Sequence, residues 1–120
     1  MPIRLKRAYD AAAAEDGMRI LVDRLWPRGI AKEKARVDLW LKAIAPSDSL
    51  RKRFHAKPEK WEAFLKAYFT ELDSEPAAEA AKELRRHLRK GTVTLLYAAR
   101  DEEHNNAVAL KAWLTRKKRR

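Results

Sequence analysis

The clearest pattern in the chain is a short apolar run that ends abruptly in charged and turn-forming residues. Ile20-Leu21-Val22 contains no polar position and favours β-branched residues, which predicts a strand covered on both faces. Asp23 and Arg24 follow at once, and Pro27 forces Trp26 into an extended backbone and removes a hydrogen-bond donor. The strand is therefore predicted to end in a polar turn, which is the first half of a candidate site.

Two further stretches have strand patterns. Ile3 to Arg7 alternates apolar and basic positions, which is typical of a half-exposed strand, and Thr92 to Tyr97 is rich in β-branched and aromatic residues. We expect the first of these to pair with the next strand along the chain. The connection from Ala8 to Met18, with a turn signal near Gly17, fits either a hairpin or a parallel crossover. Val37 to Leu41 could form a short strand or a helical segment.

The middle of the chain predicts helices. Ser47, after Pro46, is a good N-cap for a helix that continues through Phe54, and Pro58 suits the first position of a longer helix. That longer helix carries apolar residues at helical spacing, which we assign to the core rather than to an aromatic stacking platform. The stripe consists of Trp61, Phe64, Leu65, Tyr68, Phe69 and Leu72.

Two more helices are predicted on either side of the last strand. One opens at residues 74–76 and ends at Gly91, with a basic last turn that complements the helix dipole. Its buried stripe is Ala77, Ala80 or Ala81, Leu84 and Leu88, and its basic residues are Arg85, Arg86, Arg89 and Lys90. The final helix is predicted to have Asp101 as its cap. It should bury Ala107, Leu110, Trp113 and Leu114, with Glu103 and Asn106 facing inward at its start and His104 at the edge.

Alternating strands and helices predict an α/β fold, a small layered domain with a mostly parallel central sheet flanked by helices. We expect one domain over residues 1–115 and a basic tail over residues 116–120. In such sheets, ligands bind beyond the carboxyl ends of the strands. The polar clusters at residues 23–28 and 97–106 should therefore meet at one site.

Charge and composition narrow the classes of protein. The chain has 28 basic and 17 acidic side chains, a net charge of +11, and the five residues from Arg116 supply nearly half of the excess. The absence of cysteine excludes disulfides and thiol chemistry. No apolar run approaches the roughly 18 residues that a membrane span needs, and no signal-peptide pattern occurs at the N-terminus. We expect a cytoplasmic protein that does not enter membranes.

The residue types at the predicted site suit an anion. Arg24, Arg28 and Arg100 can bind a phosphate or carboxylate with two parallel hydrogen bonds. Candidates for proton transfer are Asp23, Asp101 and His104. Whether the chain is an enzyme is left open at this stage. Further candidate ligand contacts are Arg7, Trp26, Tyr97 and Asn105, and for Trp26 we favour a role in sealing the core over stacking on a ligand.

Several kinds of site lack their motifs. Glycine occurs only at positions 17, 29 and 91, so neither a phosphate-cradling loop nor a dinucleotide fingerprint can be formed. The histidines are scattered, and a metal could be held only by an improvised set of Asp23, Asp101 and His104. We therefore predict no cofactor and no metal. The oligomeric state is left open.

Three segments together resemble a known family. They are residues 19–29, residues 38–51 with Asp-Leu-Trp-Leu-Lys, Ala-Pro-Ser and Leu-Arg, and residues 95–105. They are similar to the YeaO-like family, domain of unknown function 488, over Ile3 to about Leu114. The resemblance implies one small bacterial-type α/β domain and no established activity. It adds Arg7, Tyr9, Trp40, Pro46 and Ser47 to the residues worth testing.

Members of the wider family often carry Cys-His-Arg near the start of the last helix, where this chain has His104-Asn105-Asn106. A thiol-based mechanism suggested for relatives therefore does not carry over.

Three functions remain open from the sequence. The leading one is the binding of a small phosphate-bearing, nucleotide-like or carboxylate ligand at the strand ends, with or without catalysis. The second is a nucleic-acid-binding module that uses the basic helix and the tail. The third is a non-catalytic structural or protein-interaction domain whose charged clusters only brace loops.

Overall fold

The fold is built on a parallel four-stranded sheet. The computed structural model of the chain describes residues 2–54 and 57–116. Its strands are β1 (Ile3–Arg7), β2 (Met18–Leu21), β3 (Leu39–Trp40) and β4 (Val93–Tyr97). The order across the sheet is β1-β4-β2-β3, and every pairing is parallel. The predicted α/β fold is confirmed.

β4 is one of the two inner strands, and all of its residues are buried. Leu95 is paired with Leu5 of β1 on one side and with Ile20 of β2 on the other. The expectation that β1 would pair with β2 is wrong. β4 is buried on both faces and lies between β1 and β2, whereas the alternating β1 tolerates an edge. The chain between β1 and β2 therefore crosses over β4, and its helical turn lies at Ala14–Asp16.

Five α-helices complete the described part of the chain. They are α1 (Lys32–Ala35), α2 (Asp48–Phe54), α3 (Trp61–Leu72), α4 (Ala77–Lys90) and α5 (Asn106–Thr115). Ser47 caps α2 as predicted, because its Oγ accepts the Leu50 N–H at 3.1 Å. Pro58 opens a short 3-10 turn, Pro58–Lys60, that leads into α3. Among residues 2–54 and 57–116, no helix has the length and apolar character needed to cross a bilayer.

The sheet separates two apolar clusters. The larger one contains Ile20 and Leu95 together with the predicted stripes of α4 and α5, all buried. The smaller one, on the other face, contains Ala8, Leu21 and Leu96. The stripe of α3 is not uniformly core: Tyr68 and Leu72 are buried, but the residues nearer its start are only half-buried.

A buried ionic cluster connects β1, β2 and the chain around α1. The fully buried Asp16 accepts hydrogen bonds from the guanidinium of Arg19 at 2.6 Å, the Lys6 ammonium at 3.1 Å and the Ala13 N–H at 3.0 Å. Arg19 also donates to the carbonyl of Ala35 at 2.9 Å. Burial by itself raises the pKa of Asp16, but the bonds from Ala13, Lys6 and Arg19 outweigh it and lower the pKa to about 2.

We predict that Asp16→Asn lowers the free energy of unfolding by about 3–5 kcal/mol, because Arg19 stays buried without its counter-charge. The folded-state pKa of Asp16, about 2, lies below its ordinary value of 3.8. The stability that ionised Asp16 contributes is therefore complete above about pH 4 and is lost as the pH falls towards about 2. The variant should lack this part of the acid dependence. Urea unfolding at neutral and acid pH measures both effects.

The matched control is Asp48→Asn, whose side chain is 61% exposed. It should change the free energy of unfolding by no more than about 0.5 kcal/mol. An equally small change for Asp16→Asn would contradict the structural role assigned to the buried cluster.

Candidate functional site

A pocket of about 790 Å³ opens at the carboxyl ends of β2 and β4. Both predicted clusters line it: Asp23 and Arg28 from the first, Arg100 and His104 from the second. Ligand pockets of small molecules usually have volumes of about 300–1,000 Å³. The two halves of the predicted site therefore lie together in a space large enough for a small ligand.

The carboxylate of Asp23 is bound on both oxygens. One oxygen accepts the backbone N–H of Ala98 at 2.9 Å, and the other accepts the side-chain amide of Asn106 at 2.9 Å. Asn106 also donates to the carbonyl of Val22 at 2.9 Å. Burial raises the pKa of Asp23, although the bonds from Asn106 and Ala98 act in the opposite direction. Asp23 thus connects the end of β2 to the end of β4 and to α5.

The sequence analysis predicted Asp101 as the cap of α5, and this prediction is wrong. One carboxylate oxygen of Asp101 accepts the N–H groups of His104 and Glu103, at 2.9 Å each, and these bonds lower the pKa of Asp101. Its other oxygen lies 3.2 Å from Nδ1 of His104. The cap is Asn105, which accepts the Val108 N–H at 2.9 Å and donates to the carbonyl of Asp101. Since Glu103 lies in the turn before the helix, it is exposed rather than inward-facing.

The three arginines predicted to bind an anion, Arg24, Arg28 and Arg100, differ in whether their guanidinium groups already bind other parts of the protein. Arg24 donates to the carbonyls of Pro46 at 3.3 Å and Ala45 at 3.4 Å, and so braces the chain before α2. Arg28 and Arg100 are exposed, and within the described part of the chain their guanidinium groups form no hydrogen bond or ion pair. These two cations remain available to a ligand at the wall of the pocket.

Two predicted ligand contacts do not line the pocket. Arg7 donates to the carbonyls of Ala98 at 2.9 Å and Ala99 at 3.0 Å, and its guanidinium packs over the ring of Tyr9. Tyr97 is buried in β4, and this burial raises the pKa of its hydroxyl. Arg7 instead holds the strand-end backbone that forms the pocket.

Trp26 lies between the smaller apolar cluster and the pocket. Its indole N–H donates to the carbonyl of Ile30 at 2.8 Å, and its ring meets that of Trp40 edge-on at 5.5 Å between centroids. Trp40 in turn donates to the backbone carbonyl of Asp23 at 2.7 Å. Trp26 packs against the cluster and also lines the pocket.

The pocket has an aromatic wall that the sequence analysis did not predict, because it assigned Trp61 and Phe64 of α3 to the core and gave Phe54 of α2 no role at the site. The wall consists of Phe54, Trp61 and Phe64, all of which are half-buried and line the pocket. Trp61 also meets the ring of His104 edge-on at 5.2 Å. Helical spacing identified the apolar face correctly, because Trp61 and Phe64 pack against the larger apolar cluster. The same two residues, in the first turn of α3, also line the pocket.

The alternative basic surface on α4 is partly used for packing. The guanidinium of Arg85 lies 4.6 Å from the ring centroid of Trp113, whereas Arg86, Arg89 and Lys90 are exposed. Arg116, the first residue of the predicted tail, donates to Asp73 at 3.1 Å. Residues 117–120 lie outside the described part of the chain.

The geometry does not support a metal site formed by Asp23, Asp101 and His104. Asp23 and Asp101 already accept hydrogen bonds on both carboxylate oxygens. Among the residues that the structure describes, no group of three or more potential ligands lies close enough to hold a metal ion.

We predict that Asp23→Ala lowers the free energy of unfolding by about 1–3 kcal/mol, because the Ala98 N–H and the Asn106 amide lose their acceptor. Chemical denaturation measures the change. Glu102→Ala removes a nearby exposed carboxylate without such bonds, and it should stay within about 0.5 kcal/mol of the unchanged protein. Equal effects of the two substitutions would show that Asp23 does not hold the strand ends together.

Comparison with known proteins agrees with the resemblance seen in the sequence. A family model described as the inactive DUF488-N3 subclade matches residues 2–120. The uncharacterized protein YeaO of Escherichia coli (strain K12) is 44% identical over 114 residues, which cover 95% of this chain and 97% of that protein. The uncharacterized protein Rv3073c of Mycobacterium tuberculosis (strain ATCC 25618 / H37Rv) is 38% identical over 108 residues, or 90% of this chain and 89% of the relative. No solved structure matches the chain. The chain therefore belongs to the YeaO-like DUF488 family, in the subclade described as inactive DUF488-N3.

Proposed function

We propose that the chain is a non-catalytic domain that binds a small anionic ligand, a phosphate or carboxylate compound, in the pocket at the strand ends. One observation carries the proposal. Arg28 and Arg100 line a pocket of about 790 Å³, and their guanidinium groups have no partner among the described residues. Guanidinium groups bind phosphate and carboxylate through paired hydrogen bonds.

The charge balance of the pocket supports an anion. The lining includes five cationic side chains and two carboxylates, and both carboxylates are engaged in internal hydrogen bonds. An excess of positive charge in a concave site raises the local concentration of anions. The cations are Arg24, Arg28, Arg51, Lys57 and Arg100.

The case against catalysis rests on the same contacts. Asp101 orients the imidazole of His104, an arrangement that general bases also use. However, none of the described lining residues is Ser, Thr or Cys, so His104 has no such side chain to activate. Asp23, the other candidate for proton transfer, holds the strand ends together. The family description, an inactive subclade, agrees with a binding role.

We predict that inorganic phosphate, ribose 5-phosphate or a dicarboxylate raises the thermal stability of the protein. A ligand at a hundred times its dissociation constant adds about 2.7 kcal/mol to the free energy of unfolding. Arg100→Ala and Arg28→Ala should each weaken binding by about 1.5–3 kcal/mol, the contribution of a charged hydrogen bond, as measured by calorimetric titration.

The matched control is Arg86→Ala, which removes the same charge from an exposed position on α4. It should leave the affinity nearly unchanged. An equal loss in all three variants would mean that only overall charge attracts the anion. The proposal is wrong if none of the anions stabilises the protein.

The non-catalytic part of the proposal has its own test. NMR spectra of each bound ligand, followed over a day with stoichiometric protein, should show the ligand unchanged. Conversion that is lost in His104→Ala would make the domain an enzyme instead.

A further inference from the structure

We propose that the ligand is a nucleotide, whose base stacks against the aromatic wall while its phosphate binds Arg28 and Arg100. This inference rests on the proposed function and makes its ligand class specific. It follows from the chemistry of the wall, since phosphate binding by itself needs only the cations.

The aromatic wall continues a stack of rings that starts in the core. The fully buried Tyr68 is fixed by its hydroxyl, which donates to the carbonyl of Ile44 at 2.5 Å. The Phe64 ring stacks on Tyr68 with 5.6 Å between centroids and an interplanar angle of 28°. Trp61 stacks on Phe64 in turn, at 5.5 Å and 24°. The stack passes from the core to the pocket and ends there with Trp61.

The wall is held before any ligand arrives. Phe54 of α2 meets Phe64 edge-on at 6.0 Å, and His104 meets Trp61 edge-on at 5.2 Å. Contacts from α2 and from the loop after β4 therefore fix rings whose faces would otherwise rotate. A preorganised ring loses little conformational entropy on binding, so a stacked planar group gains most of the interaction energy.

A nucleobase is the planar group that fits this pocket. Aromatic side chains bind bases through their π-faces, whereas a sugar phosphate or a dicarboxylate would leave the half-buried ring of Trp61, the last of the stack, facing water. Trp61 and the cations Arg28 and Arg100 line the same pocket. A molecule that joins a base to a phosphate can contact both kinds of wall at once.

The test compares adenosine 5′-monophosphate with ribose 5-phosphate, which has the same phosphate and sugar but no base. Calorimetric titration of the full chain should give a dissociation constant about 5- to 150-fold lower for the nucleotide, the range expected for one base stacked on an aromatic ring. Equal affinities would overturn the nucleotide inference and leave anion binding intact. If neither compound binds, the nucleotide inference fails, and the proposed anion binding fails with it only if inorganic phosphate and the dicarboxylate also leave the thermal stability unchanged.

Variants of Trp61 assign the effect to the wall. Trp61→Ala should raise the dissociation constant of adenosine 5′-monophosphate about 5- to 150-fold and leave that of ribose 5-phosphate unchanged. Trp61→Phe keeps a ring and should retain most of the affinity for the nucleotide. Trp61→Leu keeps apolar bulk without a ring; it should lose the affinity as the alanine variant does, and it covers the case in which the alanine variant does not fold. Phe69→Ala, on the same helix and outside the pocket lining, should leave the ratio of the two constants unchanged. An unaffected ratio in the variants that lack a ring at position 61, Trp61→Ala and Trp61→Leu, contradicts the stacking.

The nucleotide that the pocket binds could be a free molecule or the terminal nucleotide of a nucleic acid. A dinucleotide with a 5′-phosphate distinguishes these two sources. Tighter binding of the dinucleotide than of the mononucleotide identifies the end of a nucleic acid, and weaker binding identifies the free nucleotide; either order supports a ligand with a base and a phosphate.

Discussion

The carboxylate of Asp23 is the contact on which the pocket depends. It accepts hydrogen bonds from the backbone after β4 and from Asn106 at the start of α5, while its own backbone carbonyl accepts from Trp40 of β3. A single residue after β2 therefore connects three other elements at one edge of the sheet. Each bond satisfies a donor that would be costly to leave unpaired in a half-buried place. The pocket is fixed by this arrangement.

Most of the fold could be predicted because apolar residues recur at regular spacing along its strands and helices. The apolar run before Asp23, the β-branched run before Ala98 and the stripes of α4 and α5 all lie where the sequence placed them. The pairing of β1 could not be predicted in the same way. Alternation indicates how exposed a strand is, but it does not identify its neighbours. The prediction of Asp101 as the cap of α5 was wrong, because Asn105 is an equally suitable residue type and only the path of the turn between the two residues decides.

The candidate site was predicted in part. The rule that parallel strands bring their carboxyl ends to one edge was enough to join Asp23 and Arg28 with Arg100 and His104. The sequence could not distinguish carboxylates that brace loops from carboxylates that transfer protons, because that depends on hydrogen bonds between distant segments. It also missed the aromatic wall. Helical spacing shows which residues share a face, but it does not show whether a sheet or open space lies opposite that face.

These contacts favour a domain in which Asp23 and Asp101 hold the walls of the pocket together by hydrogen bonds. In the proposed function, Arg28 and Arg100 bind the ligand. The most direct test of this account is to map backbone and indole chemical shifts by NMR during titration with adenosine 5′-monophosphate. We predict that the shifts concentrate in residues 23–28 and 98–106 and at the indole N–H of Trp61. Shifts concentrated at Arg86, Arg89 and Lys90 of α4 instead, with the strand ends unaffected, would contradict it.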